Sequence, residues 1–167
     1  MIQLAPVVLS SVAMMAGGPA TVSCSAEDIG TQTLSVTDME TREITLSDEF
    51  CPEINYLVRR GKLPKDLPQS NGWTWERSTE TMDGLILLLH EAGHLRHPGN
   101  GPGTSEACVQ RFAVRHLSAF ARRLGLGAAL IQRIAHYGPK MTHDWMPAEY
   151  QPKWCDVPAP YNPDRRG

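Results

Sequence analysis

Apolar residues in this chain recur with two periods. Between Met82 and Gly93 the positions Met82, Leu85, Ile86, Leu89 and Gly93 fall on one stripe at helical spacing. The run LILLL at 85–89 makes the same segment apolar nearly all round, which predicts a helix over 79–96 buried in a core. The stretch HPGNGPG from His97 cannot continue a helix and ends it. Thr104 or Ser105 can cap a second helix that runs to about Leu124 and stops at Gly125. Its residues Glu106, Val109, Ala113, Leu117, Phe120 and Leu124 form a continuous inward face. GAALIQRIAHYG, from Gly127, predicts a further helix, and the proline-rich remainder reads as an irregular tail.

The first half of the chain carries the shorter period. ATVSCSA from Ala20, TQTLSVTD from Thr31 and TREITLSD from Thr41 are rich in β-branched residues and alternate, with Ile44 and Leu46 on one face. They predict the strands of a small sheet. CPEINYLVRRG follows as a helix, with Pro52 at its first position, Ile54, Leu57 and Val58 as its stripe, and Gly61 past its end. KLPKDLPQSNGWTW reads as a loop. Strands first and helices after them predict an α+β fold. The sheet is expected to pack on the 79–96 helix and on the helix that begins near Glu106.

Composition narrows the classes. The 167 residues suit one domain, and a net charge of −2 excludes the basic footprint of a nucleic-acid binder. The first twenty residues hold no charge. They read either as an export-signal-like apolar segment or as a buried N-terminal strand, and Pro6, Ser10 and Ser11 interrupt them too soon for a membrane span. The domain is therefore placed at 21–157 and a flexible tail at 158–167. Cys24, Cys51, Cys108 and Cys155 form no C-x-x-C pair. Two disulfides in an exported, secreted or cell-surface protein are the favoured reading, paired 24–51 and 108–155; free thiols in a cytoplasmic protein are the alternative.

Chemistry enters at HEAGH. His90 and His94 are four residues apart, so on a helix their imidazoles point the same way and can share one tetrahedral Zn²⁺. Glu91 lies beside that face, placed to take a proton from an activated water. A third ligand is needed. The metzincin continuation fails, because His97 stands at its glycine and Asn100 at its last histidine. His97 lies about 10.5 Å along the helix from His90, too far for a shared metal, and is assigned to the rim. His116 sits off the Glu106 stripe and reads as a surface or packing histidine. Glu106 starts an apolar face, where a carboxylate is costly unless paired or metal-bound, and is the expected third ligand. Gln110 or Asp83 could orient a ligand histidine.

LLLHEAGHLRH followed by SEACVQRFAVRHL resembles the small gluzincin-type zinc metallopeptidases, the ImmA/IrrE-like group among them, over about 44–124. Phe112-Ala113 match the pair after that group's glutamate, and Glu106 matches its third ligand by spacing. The cysteines are similar to those of exported metallopeptidases of the same minimal architecture. The resemblance implies a zincin core, His90 and His94 as zinc ligands, Glu91 as general base, and a peptide or protein substrate. The oxyanion donor of larger gluzincins has no clear counterpart; His136, Tyr137, His143 and Tyr150 are the available donors. A non-catalytic zinc-binding sensor or interaction domain is the alternative.

Overall fold

The computed structural model describes residues 3–25, 34–70, 72–97, 105–147, 150–151 and 155. Its elements in order are α1 (Pro6–Met15), β1 (Thr21–Cys24), β2 (Ser35–Asp38), β3 (Glu43–Leu46), α2 (Phe50–Arg60), β4 (Leu67–Pro68), β5 (Thr74–Trp75), α3 (Arg77–Arg96), α4 (Glu106–Arg123) and α5 (Ala128–Trp145). The class is α+β, as the pattern predicts. The three-stranded sheet has the order β1-β3-β2, with β1 parallel and β2 antiparallel to β3. Ile44 and Leu46 of the central strand are fully buried. Residues 26, 31–33 and 158–167, on which parts of the expected strands and tail fall, lie outside the described residues.

Helix α3 is the hub, touching α1, α2, α4, α5, β2 and β3. From Leu85 to Gly93 every residue is buried, as the all-round apolar run requires. Two glycines allow its neighbours to come close. A Cβ on Gly84 would lie 3.0 Å from Phe50 Cβ of α2, and one on Gly93 would lie 2.9 Å from Val109 Cγ1 of α4. On the α2 side, Arg77 donates from Nε and Nη2 to the buried Glu53 carboxylate at 2.9 Å, closing a two-bond ion pair.

Three expectations change. The N-terminal segment is a helix and not the strand that is one reading of its sequence. Pro6 occupies its first turn, and Val8, Ser11, Val12 and Met15 form a buried i, i+3, i+4, i+7 face. Asn55 of α2 fastens its start, accepting from Ala5 N and donating to Gln3 O, both at 2.8 Å. The 62–75 loop contains the two-residue strands β4 and β5, paired antiparallel. Helix α5 continues through Pro139 to Trp145, where the sequence suggested an irregular tail. Proline normally costs a helix about 3 kcal/mol. Here the helix presses Gly138 against α4, so closely that a Cβ would lie 2.8 Å from Leu117 Cδ2, and Thr142 Oγ1 donates to the Gly138 carbonyl at 3.0 Å. Tertiary packing overrides the local breaker.

Both disulfides take the expected pairing: Cys24–Cys51 joins the end of β1 to α2, and Cys108–Cys155 pins the tail to α4. Among the described residues, no helix is long and apolar enough to cross a membrane.

Candidate metal centre

The crossing of α3 and α4 brings His90, His94 and Glu106 together. Their ligand atoms lie within 4.8 Å of one another. Glu106 Oε2 stands 2.9 Å from His90 Nε2 and 3.5 Å from His94 Nε2. The two Nε2 atoms are 3.2 Å apart. Two nitrogens at zinc-ligand distance in a tetrahedral shell would stand about 3.3 Å apart, so this group could hold a metal ion with little adjustment. Ser105 makes the placement of Glu106 possible. It caps α4, its side chain accepting from Cys108 N, and so fixes the helix start that carries the carboxylate.

The protonation of His90 follows from its partners. The Gly138 carbonyl can only accept, so Thr142 Oγ1 donates to it. Thr142 Oγ1 then accepts from Gln110 Nε2 at 2.7 Å, which turns Gln110 Oε1 towards His90 Nδ1 at 2.9 Å. Nδ1 must therefore carry a proton, which leaves Nε2 as the ring atom that meets Glu106 and His94: it donates to the Glu106 carboxylate here, and would offer its lone pair to a metal ion on giving up that proton. Gln110 and Thr142 are almost wholly buried, so water does not compete for the chain.

The electrostatics agree. Hydrogen bonds from His90 and then His94 hold the Glu106 carboxyl down at about 2, against the opposing effect of burial, so it is an anion at neutral pH. Burial alone would lower His94, but its hydrogen bond to Glu106 and the charges of Glu106 and Glu91 outweigh it and raise the imidazole. A cation is favoured at this point in space.

Glu91 is buried beside the ligands, with Oε1 accepting from Ser35 Oγ at 2.7 Å and Oε2 from Thr37 Oγ1 at 2.5 Å. These two hydroxyls, like Thr142, escape a search for chemical motifs. Strand β2 carries a signal nonetheless. Its hydroxyls at 35 and 37 are the half-buried positions and its valine, Val36, is exposed, which inverts the usual alternation. A space of about 270 Å³ lies between β2 and the ligands, lined by Ser35, Val36, Thr37, Met39, His90, Glu91, His94, Glu106 and Tyr150.

The other expected residues divide. Gln110 meets His90 Nδ1, the contact that a group orienting this histidine would make. Asp83 does not; it accepts from Tyr137 Oη at 2.7 Å, farther along α3. Tyr150 reaches the site, its ring stacked on His90 with centroids 5.5 Å apart. His136 is exposed on α5 and outside both spaces that open on the ligands. His143 is exposed and paired with Asp144. His97 is exposed at the end of α3 against the Phe112 ring, and His116 is exposed on the same ring, so neither joins the cluster. Comparison with protein-family models, with curated proteins and with solved structures finds no match to this chain.

Proposed function

We propose that this protein is a zinc-dependent peptidase of minimal zincin type, with His90, His94 and Glu106 as metal ligands and Glu91 as general base. The observation that carries the reading is the joint placement of three convergent ligand atoms, a histidine whose Nδ1 is held away from them by Gln110, and a carboxylate on the same open wall. Zinc held there would supply Lewis-acid activation of water and of a peptide carbonyl. Glu91 supplies the proton acceptor: each oxygen receives one hydroxyl hydrogen bond, which leaves a lone pair on each for a water proton. That proton can then pass to the leaving amine. Strand β2 is the edge of its sheet and borders the ligands, so an extended peptide can pair along it. Tyr150, against His90, is the donor best placed to meet a developing oxyanion. Two disulfides support work in an oxidising compartment outside the cytoplasm.

A second reading, a metal-binding domain without catalysis, is favoured by the close hold of Ser35 and Thr37 on Glu91. Metal analysis and peptide hydrolysis together separate the two. The wild type is expected to bind one zinc and cleave members of a peptide library. Glu91→Gln should keep the zinc and lose at least about a hundredfold in kcat. Zinc without hydrolysis in the wild type would favour the second reading; no stoichiometric zinc would end both.

A further inference from the structure

A second, larger cleft of about 910 Å³ opens on the same carboxylate and histidine. It follows one stripe of α3, through Glu76, Glu80, Asp83 and Leu87 to His90 and Glu91, with α5 and the chain after it as the opposite wall. Its chemistry changes along its length. Near Glu91 the walls are apolar: Leu34, Leu87, Met141 and Met146. About 12 Å farther along the helix axis, at Asp83, they turn acidic. Three carboxylates face one amine there, and that amine, Lys140 Nζ, already donates to Asp144 at 2.6 Å.

Two carboxylates of the acidic end sit above their ordinary range. Burial, helped by the charges of Glu80 and Glu76, pushes Asp83 up even though Tyr137 donates to it. Burial likewise raises Glu80, with Trp75 Nε1 donating to its carboxylate at 2.6 Å. A guest that is apolar over its first few carbons and cationic at its tip matches such a cleft. Arginine and lysine side chains have that form; extended, they reach about 7 Å, roughly half of that distance, so the backbone that carries them would lie on the Leu87 side of Glu91.

We infer that the α3–α5 cleft is the specificity pocket of the proposed peptidase and takes an arginine or lysine side chain of the substrate, its stem over Leu87 and Met141 and its cation between Asp83 and Glu80. This rests on the peptidase reading for its meaning, but binding can be read without turnover.

Zinc-loaded Glu91→Gln would be titrated with fluorescent, end-blocked alanine hexapeptides carrying arginine, norleucine or glutamate at each position in turn, followed by anisotropy. At one position arginine is expected to bind at least about tenfold more tightly than norleucine, and glutamate to bind weakest. Asp83→Asn, which keeps an oxygen to accept from Tyr137, should erase most of the arginine advantage and leave norleucine binding unchanged. Glu80→Gln should do the same in smaller measure. Equal binding of the three series, no binding at all, or an arginine preference untouched by both substitutions overturns the pocket. Hydrolysis of the same peptides by the wild type tests the peptidase reading separately: cleavage without basic preference would sink the pocket alone.

Discussion

At the scale of single residues, the proposed metal centre depends on groups beyond its three candidate ligands. The chain from Gly138 through Thr142 and Gln110 sets the His90 proton. Gln110→Leu should lower zinc affinity about 10- to 100-fold in competition with a chromophoric chelator, with the fold retained. Thr142→Val should weaken zinc less and cost about 1–3 kcal/mol in denaturant unfolding, because it leaves the buried Gln110 amide without its acceptor. Unchanged zinc affinity in both variants would refute the relay. What the sequence discloses at this scale is what lies close along one helix. His90 and His94 are read from a four-residue spacing, and Gln110 from one turn after Glu106. Ser35 and Thr37 meet Glu91 across 56 and 54 positions, and only the fold brings them there.

At the scale of elements, the ligand set is a property of the α3–α4 crossing, and Gly93 sets how close that crossing can be. In Gly93→Ala the new methyl would meet Val109 and Phe112 at 2.9 and 3.1 Å, so α4 must shift and carry Glu106 with it. A loss of about 1–3 kcal/mol in unfolding free energy is expected, together with weaker zinc binding. Gly127→Ala, where a Cβ meets nothing within 4 Å, should stay within about 0.5 kcal/mol of the wild type. Equal effects of the two would show that the crossing is not tight. The helices around the site were legible because their apolar stripes are long and their stops are strong. Helix α1 and the second half of α5 were not. A short uncharged run fits a leader, a strand or a helix equally, and Pro139 is a local signal that packing against Leu117 outweighs.

At the scale of the whole molecule, the tail is part of the site. Cys108 lies two residues after Glu106, and its partner Cys155 lies five after Tyr150, so one covalent link fixes both the ligand helix and the aromatic wall. Between them Gln151 Nε2 donates to Thr142 O at 2.7 Å and ties the tail to the positioning chain. The double variant Cys108→Ser, Cys155→Ser should lose about 4 kcal/mol, the chain-entropy expectation for a separation of 47. Denaturant titration checks the loss. Near-UV dichroism of the folded variant should also show Tyr150 released from its fixed surroundings; an unchanged aromatic spectrum would mean the tail holds its place without the link. The α+β class was legible because strand and helix periods separate cleanly along the chain.

The other disulfide closes a ring. Cys24 and Cys51 are 27 positions apart, and the chain between them contains all of β2 and β3. Ser35 and Thr37 are therefore ring members, while the Glu91 they hold lies outside it. When the rest of the molecule unfolds, this ring confines the two strands to far fewer conformations, a restriction of about 3.5 kcal/mol on the loop-entropy estimate. The strand that borders the Glu91 carboxylate therefore starts its search for a partner from a smaller space.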